Sequence, residues 1–130
     1  MTVGLASSVH AAVLDVVFRS VDYAGPAAIY AKLHTADPGA AGATAAAANA
    51  TRKLVTFGAA SGATISNSAQ VLWENVPATE TYTHVSLWDA ASAGNFVGSA
   101  VLAAQQAVQI FDNFSLEAGA VVVTNTPVAA

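Results

Sequence analysis

The sequence predicts a mainly β protein: a single-domain antiparallel β-sandwich, jelly-roll-like, with one α-helix at its N-terminus. Three observations predict it. Past residue 28 the chain breaks into short runs of alternating apolar and polar residues, separated by turn signals every roughly 8–12 residues. No strand–helix–strand alternation follows, which argues against a parallel α/β sheet. The 130 residues make one domain of ordinary size, long enough to fold without a disulfide or a metal. The expected organisation is a helix over about 4–20, a sandwich over about 28–124 and a long surface loop over 36–51.

The helix rests on periodicity. In "GLASSVHAAVLDVVFRSVD", Leu5, Val9, Ala12, Val13, Val16 and Val17 recur at helical spacing and form one apolar stripe. "YAGPAA" then ends it, because Gly and Pro both stop helices. The first strand is "AIYAKLHT", with Ile29, Ala31 and Leu33 on one face and Tyr30, Lys32 and His34 on the other. "ADPGAAG" is a turn, and "ATAAAANAT" has no large apolar side chain to anchor a helix.

"RKLVTFGAA" reads as the next strand. "SGATISNSAQVLWENV" gives a short strand, a Ser-Asn-Ser turn and a strand with Ala69, Val71 and Trp73 on one face. In "TYTHVSLWDAA", Tyr82, His84, Ser86 and Trp88 alternate with Thr83, Val85 and Leu87. "SAGN" is a hairpin signal. "FVGSAVLAA", "AVQIF", "FSLEAG" and "AVVVTNT" complete the strands.

Composition limits function. Charged residues are 9% of the chain, against roughly 25% in an average domain. So bland an exterior is suited to lying against other protein. The net charge is −4, and Arg19, Lys32, Arg52 and Lys53 are the only basic residues besides histidine. Nucleic acid and anionic membrane need a basic footprint that is missing here. The longest apolar run, residues 9–18, is too short to span a bilayer. No Lys or Arg precedes it, so synthesis in the cytoplasm without an export signal is expected. The absence of cysteine removes disulfides, thiolate metal sites and a Cys nucleophile.

The motifs carry little chemistry. His10, His34 and His84 have no local ligand spacing, and most of the acids sit at turns or strand ends. There is no Gly-x-Ser-x-Gly elbow, phosphate loop or calcium loop. An enzyme would need two or more of His34, His84, Asp89 and Glu74 to meet in one cleft. A carbohydrate-binding module would need Trp73 and Trp88 exposed near an acid or amide; otherwise the aromatics are the large side chains of a Val- and Ala-rich core. No catalytic residue, cofactor or metal is expected.

Three phrases together, "AKLHTADPGAAG", "VTFGAASGATISNS" and "THVSLWDAASAGNFVGSAVL", resemble a family of small tailed-phage virion proteins labelled tail fibre or minor tail proteins. The likeness covers about residues 30–103. Two places depart from it: "ATAAAANATRKL" replaces a Glu-Val-x-Gly-Gly and Tyr-Ala-Arg pattern, and Ser86 stands where Gly is expected. The resemblance implies a β-sandwich, no enzymatic activity and a place on the virion. A fibre normally needs a shaft, and the chain has neither heptads nor repeats. The expected role is therefore a capsid decoration (cement or minor capsid) protein on the outer surface of the particle. A tail fibre or minor tail protein is the alternative, and a carbohydrate-binding module in host attachment a further one. The expected partners are other copies of the chain, as a trimer, and capsid or tail structural proteins. The divergent loop supplies the expected contacts: Asp37, Pro38, Gly39, Thr44, Asn49 and Arg52.

Overall fold

In a computed structural model, residues 3–128 are described. One helix, α1 (Ser7–Arg19), precedes eight strands: β1 (Ile29–His34), β2 (Lys53–Val55), β3 (Thr64–Ser66), β4 (Val71–Trp73), β5 (Glu80–Trp88), β6 (Phe96–Val108), β7 (Phe114–Leu116) and β8 (Val122–Thr124). The order β2-β1-β5-β6 makes the main sheet, and β3-β8 and β4-β7 form two antiparallel ribbons. This is the predicted mainly β sandwich. Among the described residues, no helix is long and apolar enough to cross a membrane.

Two segments differ from the sequence reading. Gly4–Ala6 was expected inside the helix, yet it lines the free edge of β6. Ser99 N–H donates to the Gly4 carbonyl at 2.7 Å and Ala6 N–H to that of Val97 at 2.9 Å. Leu5 N–H then donates to the Thr126 carbonyl, so this strip joins β6 to the end of the described chain. The approach is close because position 98 is glycine. A Cβ there would sit 2.7 Å from the Gly4 oxygen. β6 itself is one 13-residue strand where two segments were expected. Covering its edge in this way satisfies backbone groups that would otherwise invite pairing with another chain.

The helix stripe is realised only in its first half. Val9, Ala12 and Val13 are half-buried, Val16 and Val17 are exposed, and no α1 residue is fully buried. The helix has no side-chain cap at Ala6, and it ends at Ser20 in the left-handed conformation. That end comes before the Gly-Pro pair expected to stop it.

The core lies between the main sheet and the two ribbons. Trp73, Tyr82 and Phe114 are its largest members, with Leu33, Val76, Val85 and Val121 around them. Tyr82 meets Phe114 edge-on at 4.9 Å between centroids, and Trp73 meets it at 5.8 Å. Strict alternation would place Tyr82 on the opposite face from Val85. A register shift reconciles them. Tyr82 pairs with Gln106 and His84 with Val101, so Thr83 of β5 stands opposite the longer stretch 102–105 of β6. The bulge re-aims Tyr82 towards the core.

Truncating the shared aromatic should show how far the fold depends on it. Phe114→Ala should lower stability by about 3–5 kcal/mol, read as a shift of the urea midpoint in one transition.

Candidate functional site

The chemistry-bearing residues gather on the outer face of the main sheet. β1 and β5 pair so that His34 faces His84 and Lys32 faces Ser86. The segment 35–52 folds back over this face. It is anchored by Thr35 N–H to the Ala45 carbonyl and Ala47 N–H to the Leu33 carbonyl. Gly42 lies against the Phe96 ring, and a Cβ there would be 2.4 Å from it. The loop keeps most of its residues at the surface and is pinned to its own sheet through buried Pro38, Gly39, Gly42, Ala47 and Asn49.

Beneath it runs a polar chain. His34 is fully buried. Its Nδ1 lies 2.8 Å from the Thr44 carbonyl, which can only accept, so Nδ1 carries the proton. Its Nε2 lies 2.7 Å from Ser86 Oγ and accepts the hydroxyl proton. The same oxygen accepts Trp88 Nε1–H at 2.7 Å. A histidine bonded to a serine invites a nucleophilic reading. Ser86 is also fully buried, however, and its oxygen already ties Trp88. The arrangement is a structural clasp. Burial, the main cause, lowers the His34 pKa from its ordinary value of 6.5. The Thr44 carbonyl opposes that shift and Lys32 adds to it.

The six expected contact residues divide. Pro38, Gly39 and Asn49 are enclosed by their own chain. Asp37 and Thr44 keep surface, although Asp37 Oδ1 accepts Gly39 N–H at 2.8 Å to close a tight turn. Arg52 is half-buried. Its guanidinium lies over the Trp88 ring, 4.3 Å from the centroid, and donates to the carbonyls of Ala90 and Ala93. Near the end of the segment, Glu80 Oε1 accepts Ala48 N–H at 2.8 Å. Glu80 Oε2 and the Tyr82 hydroxyl are enclosed there without a hydrogen-bond partner among the described residues. Burial raises the Tyr82 pKa above its ordinary value.

The enzyme and carbohydrate readings lose their stated residues. His34 and His84 are cross-strand neighbours, but His34 has no access to solvent. Asp89 lies just past the end of β5, five residues on from His84, and Glu74 follows β4 in another sheet. Trp73 is 1% exposed and Trp88 is covered by Arg52, so neither offers a free platform. A cleft of about 420 Å³ does open between the start of α1 and the 89–96 hairpin, lined by Ser8, Tyr23, Pro26, Asp89 and Asn95 among others. Its carboxylate is engaged: Asp89 accepts the Asn95 backbone N–H at 2.7 Å and its amide at 3.0 Å. Those bonds hold the Asp89 pKa below the usual carboxylate range.

What the sequence reading missed is apolar. Leu14, Val17, Phe18 and Val21 are 51%, 65%, 79% and 42% exposed. Leu14, Val17 and Phe18, three and four residues apart, make a second stripe on the helix, the signal that would have found them, and Val21 follows just past its left-handed end. A further exposed pair, Ile110 and Phe111, caps the turn after β6.

Two outcomes check the clasp. The unfolded chain takes up the His34 proton more readily than the folded one. Stability should therefore fall as pH drops below about 6.5 and be level above it, and His34→Gln should flatten that slope. Ser86→Ala strands His34 Nε2 and Trp88 Nε1 and should cost about 1–3 kcal/mol in urea unfolding.

A family model described as Podophage GP4 fiber I protein gp80 matches residues 4–124. That span runs from the Gly4 strip to the end of β8. No curated protein matches the chain. A fibre description gives the expected capsid decoration role no support and fits the fibre alternative better. Heptads and repeats belong to one way of building a fibre shaft, and a subunit of a fibre can lack both. With residues 4–124 matched, the chain belongs to the Podophage GP4 fiber I protein gp80 family and is a phage virion structural protein.

Proposed function

We propose that this chain is a non-enzymatic building block of the phage tail fibre, held to other copies of itself and to neighbouring tail proteins. The observation that carries this reading is the uncovered second stripe of α1. Leu14, Val17 and Phe18 form an apolar face with no charged residue among them, and Val21 is exposed just past the end of the helix. The Arg19–Asp15 ion pair, 3.2 Å, joins neighbours on the same helix. Contiguous exposed apolar surface of this kind marks an association site. A face without charge can meet its own copy without repulsion, and three such stripes can close around one axis. The trimer expected from the sequence is the arrangement proposed.

Gold-labelled antibody against the chain should decorate the tail of intact virions. Label on the capsid faces would sink the fibre reading. In sedimentation, Phe18→Ser should shift the protein from a closed oligomer to a monomer. Its unfolding free energy should stay within about 0.5 kcal/mol, as for other exposed positions.

A further inference from the structure

Three polar side chains meet inside the end of the returning segment. Glu80 opens β5, and Tyr82 follows two residues later on the same face of the strand. Asn49 reaches them from the 35–52 segment, whose Ala48 N–H donates to Glu80 Oε1 at 2.8 Å. Tyr82 is 0% exposed and Asn49 5%. The Tyr82 hydroxyl and Glu80 Oε2 are both enclosed, and no protein group among the described residues hydrogen-bonds to either. The three groups are neighbours all the same. Burial is the main cause of the raised Tyr82 pKa, the Asn49 amide opposes the rise and the Glu80 carboxylate adds to it. Asn49 and Glu80 are therefore close enough to act on the hydroxyl, yet they stand outside direct hydrogen-bond geometry.

Buried polar groups in folded proteins are paired, with protein or with ordered water. An unpaired one carries its whole desolvation cost. Here the groups that need partners form a complementary set. Glu80 Oε2, as a carboxylate oxygen, only accepts. The Tyr82 hydroxyl can donate. Asn49 Oδ1 accepts Thr51 N–H at 3.4 Å, so the donor end of that amide, Nδ2, is the one turned to the enclosure.

A water molecule fits this set. It gives one proton to Glu80 Oε2 and accepts from the Tyr82 hydroxyl and from Asn49 Nδ2. That makes about three hydrogen bonds, the usual number for a buried water. A calcium ion fits it poorly, because it takes about six to eight oxygen ligands and Asn49 presents an N–H. An apolar guest would leave all three groups unpaired.

We propose that one ordered water is bound between Glu80 Oε2, the Tyr82 hydroxyl and Asn49 Nδ2, and that it fastens the end of the 35–52 segment to the start of β5. Asn49 is then a positioning residue for that water. The segment is tethered to β5 at two buried polar points. His34 and Ser86 hold it at Thr44, and the water with Glu80 and Tyr82 holds it at Asn49. The site lies within one chain and rests on neither the fibre reading nor a partner.

Tyr82→Phe tests it by the sign of its effect, since it removes the hydroxyl and keeps the ring. With the water bound, the loss of one of its partners should lower the folding equilibrium constant roughly 2- to 10-fold in urea unfolding. A hydroxyl without any partner gives the opposite result: its removal leaves stability unchanged or raised, and that outcome overturns the proposal. A direct bond from Tyr82 to Glu80 would also lower stability, so a second measurement separates the two. A high-resolution crystal structure of the full chain should show one density peak within about 3.2 Å of all three atoms. Empty density there, or the Tyr82 hydroxyl seated directly on Glu80 Oε2, overturns the proposal whatever the urea result.

Discussion

The burial of β5 on both faces is the constraint from which most of the structure follows. Val85 and Leu87 enter the core on one side. On the other, Ser86 is just as completely covered. A central strand with two buried faces must find a partner for every polar group it carries. Ser86 Oγ therefore holds His34 and Trp88 together, and His34 in turn fastens the returning loop through the Thr44 carbonyl. The loop's composition suits that role. Small residues let 35–52 lie close to the sheet, and Gly42 gives way to the Phe96 ring.

The register shift in β5–β6 is the second consequence. Without it, Tyr82 would share the outer face with His84, Ser86 and Trp88. With it, the ring completes the aromatic contact with Phe114 and Trp73 that fills the space between sheet and ribbons. The local disruption of the ladder is compensated beyond it, where Leu102 bridges to Val121 and Ala103 N–H reaches the Ala120 carbonyl.

The low charge of the chain takes on a meaning once its surface is mapped. Interior demand uses most of the polar side chains that were open to a functional reading: His34, Asn49, Asp89 and Arg52 all serve their own chain. The large apolar residues left outward cluster on α1 and the turn after β6, while Leu54, Leu72, Val101 and Val122 are exposed on the strands. A virion component acts by fitting its neighbours, and that is the kind of surface this fold leaves available.

The sequence by itself determined the class of the protein and most of its strands. Alternation of apolar and polar residues is a local property, so β1, β5 and the short strands of the ribbons were legible from spacing alone. Motif content was local too, and the family likeness in three phrases pointed to the virion. Only the tertiary structure decided which alternating face was inside, because the loop over His34 buries the face that alternation assigns to solvent. It decided that Pro38, Gly39 and Asn49 lie within the chain, since enclosure depends on where a loop lands and not on its composition. It turned Tyr82 inward, as a bulge is set by the pairing of two distant strands. And it gathered Asn49, Glu80 and Tyr82 around one enclosure, a relation between residues far apart in the chain that no local pattern records.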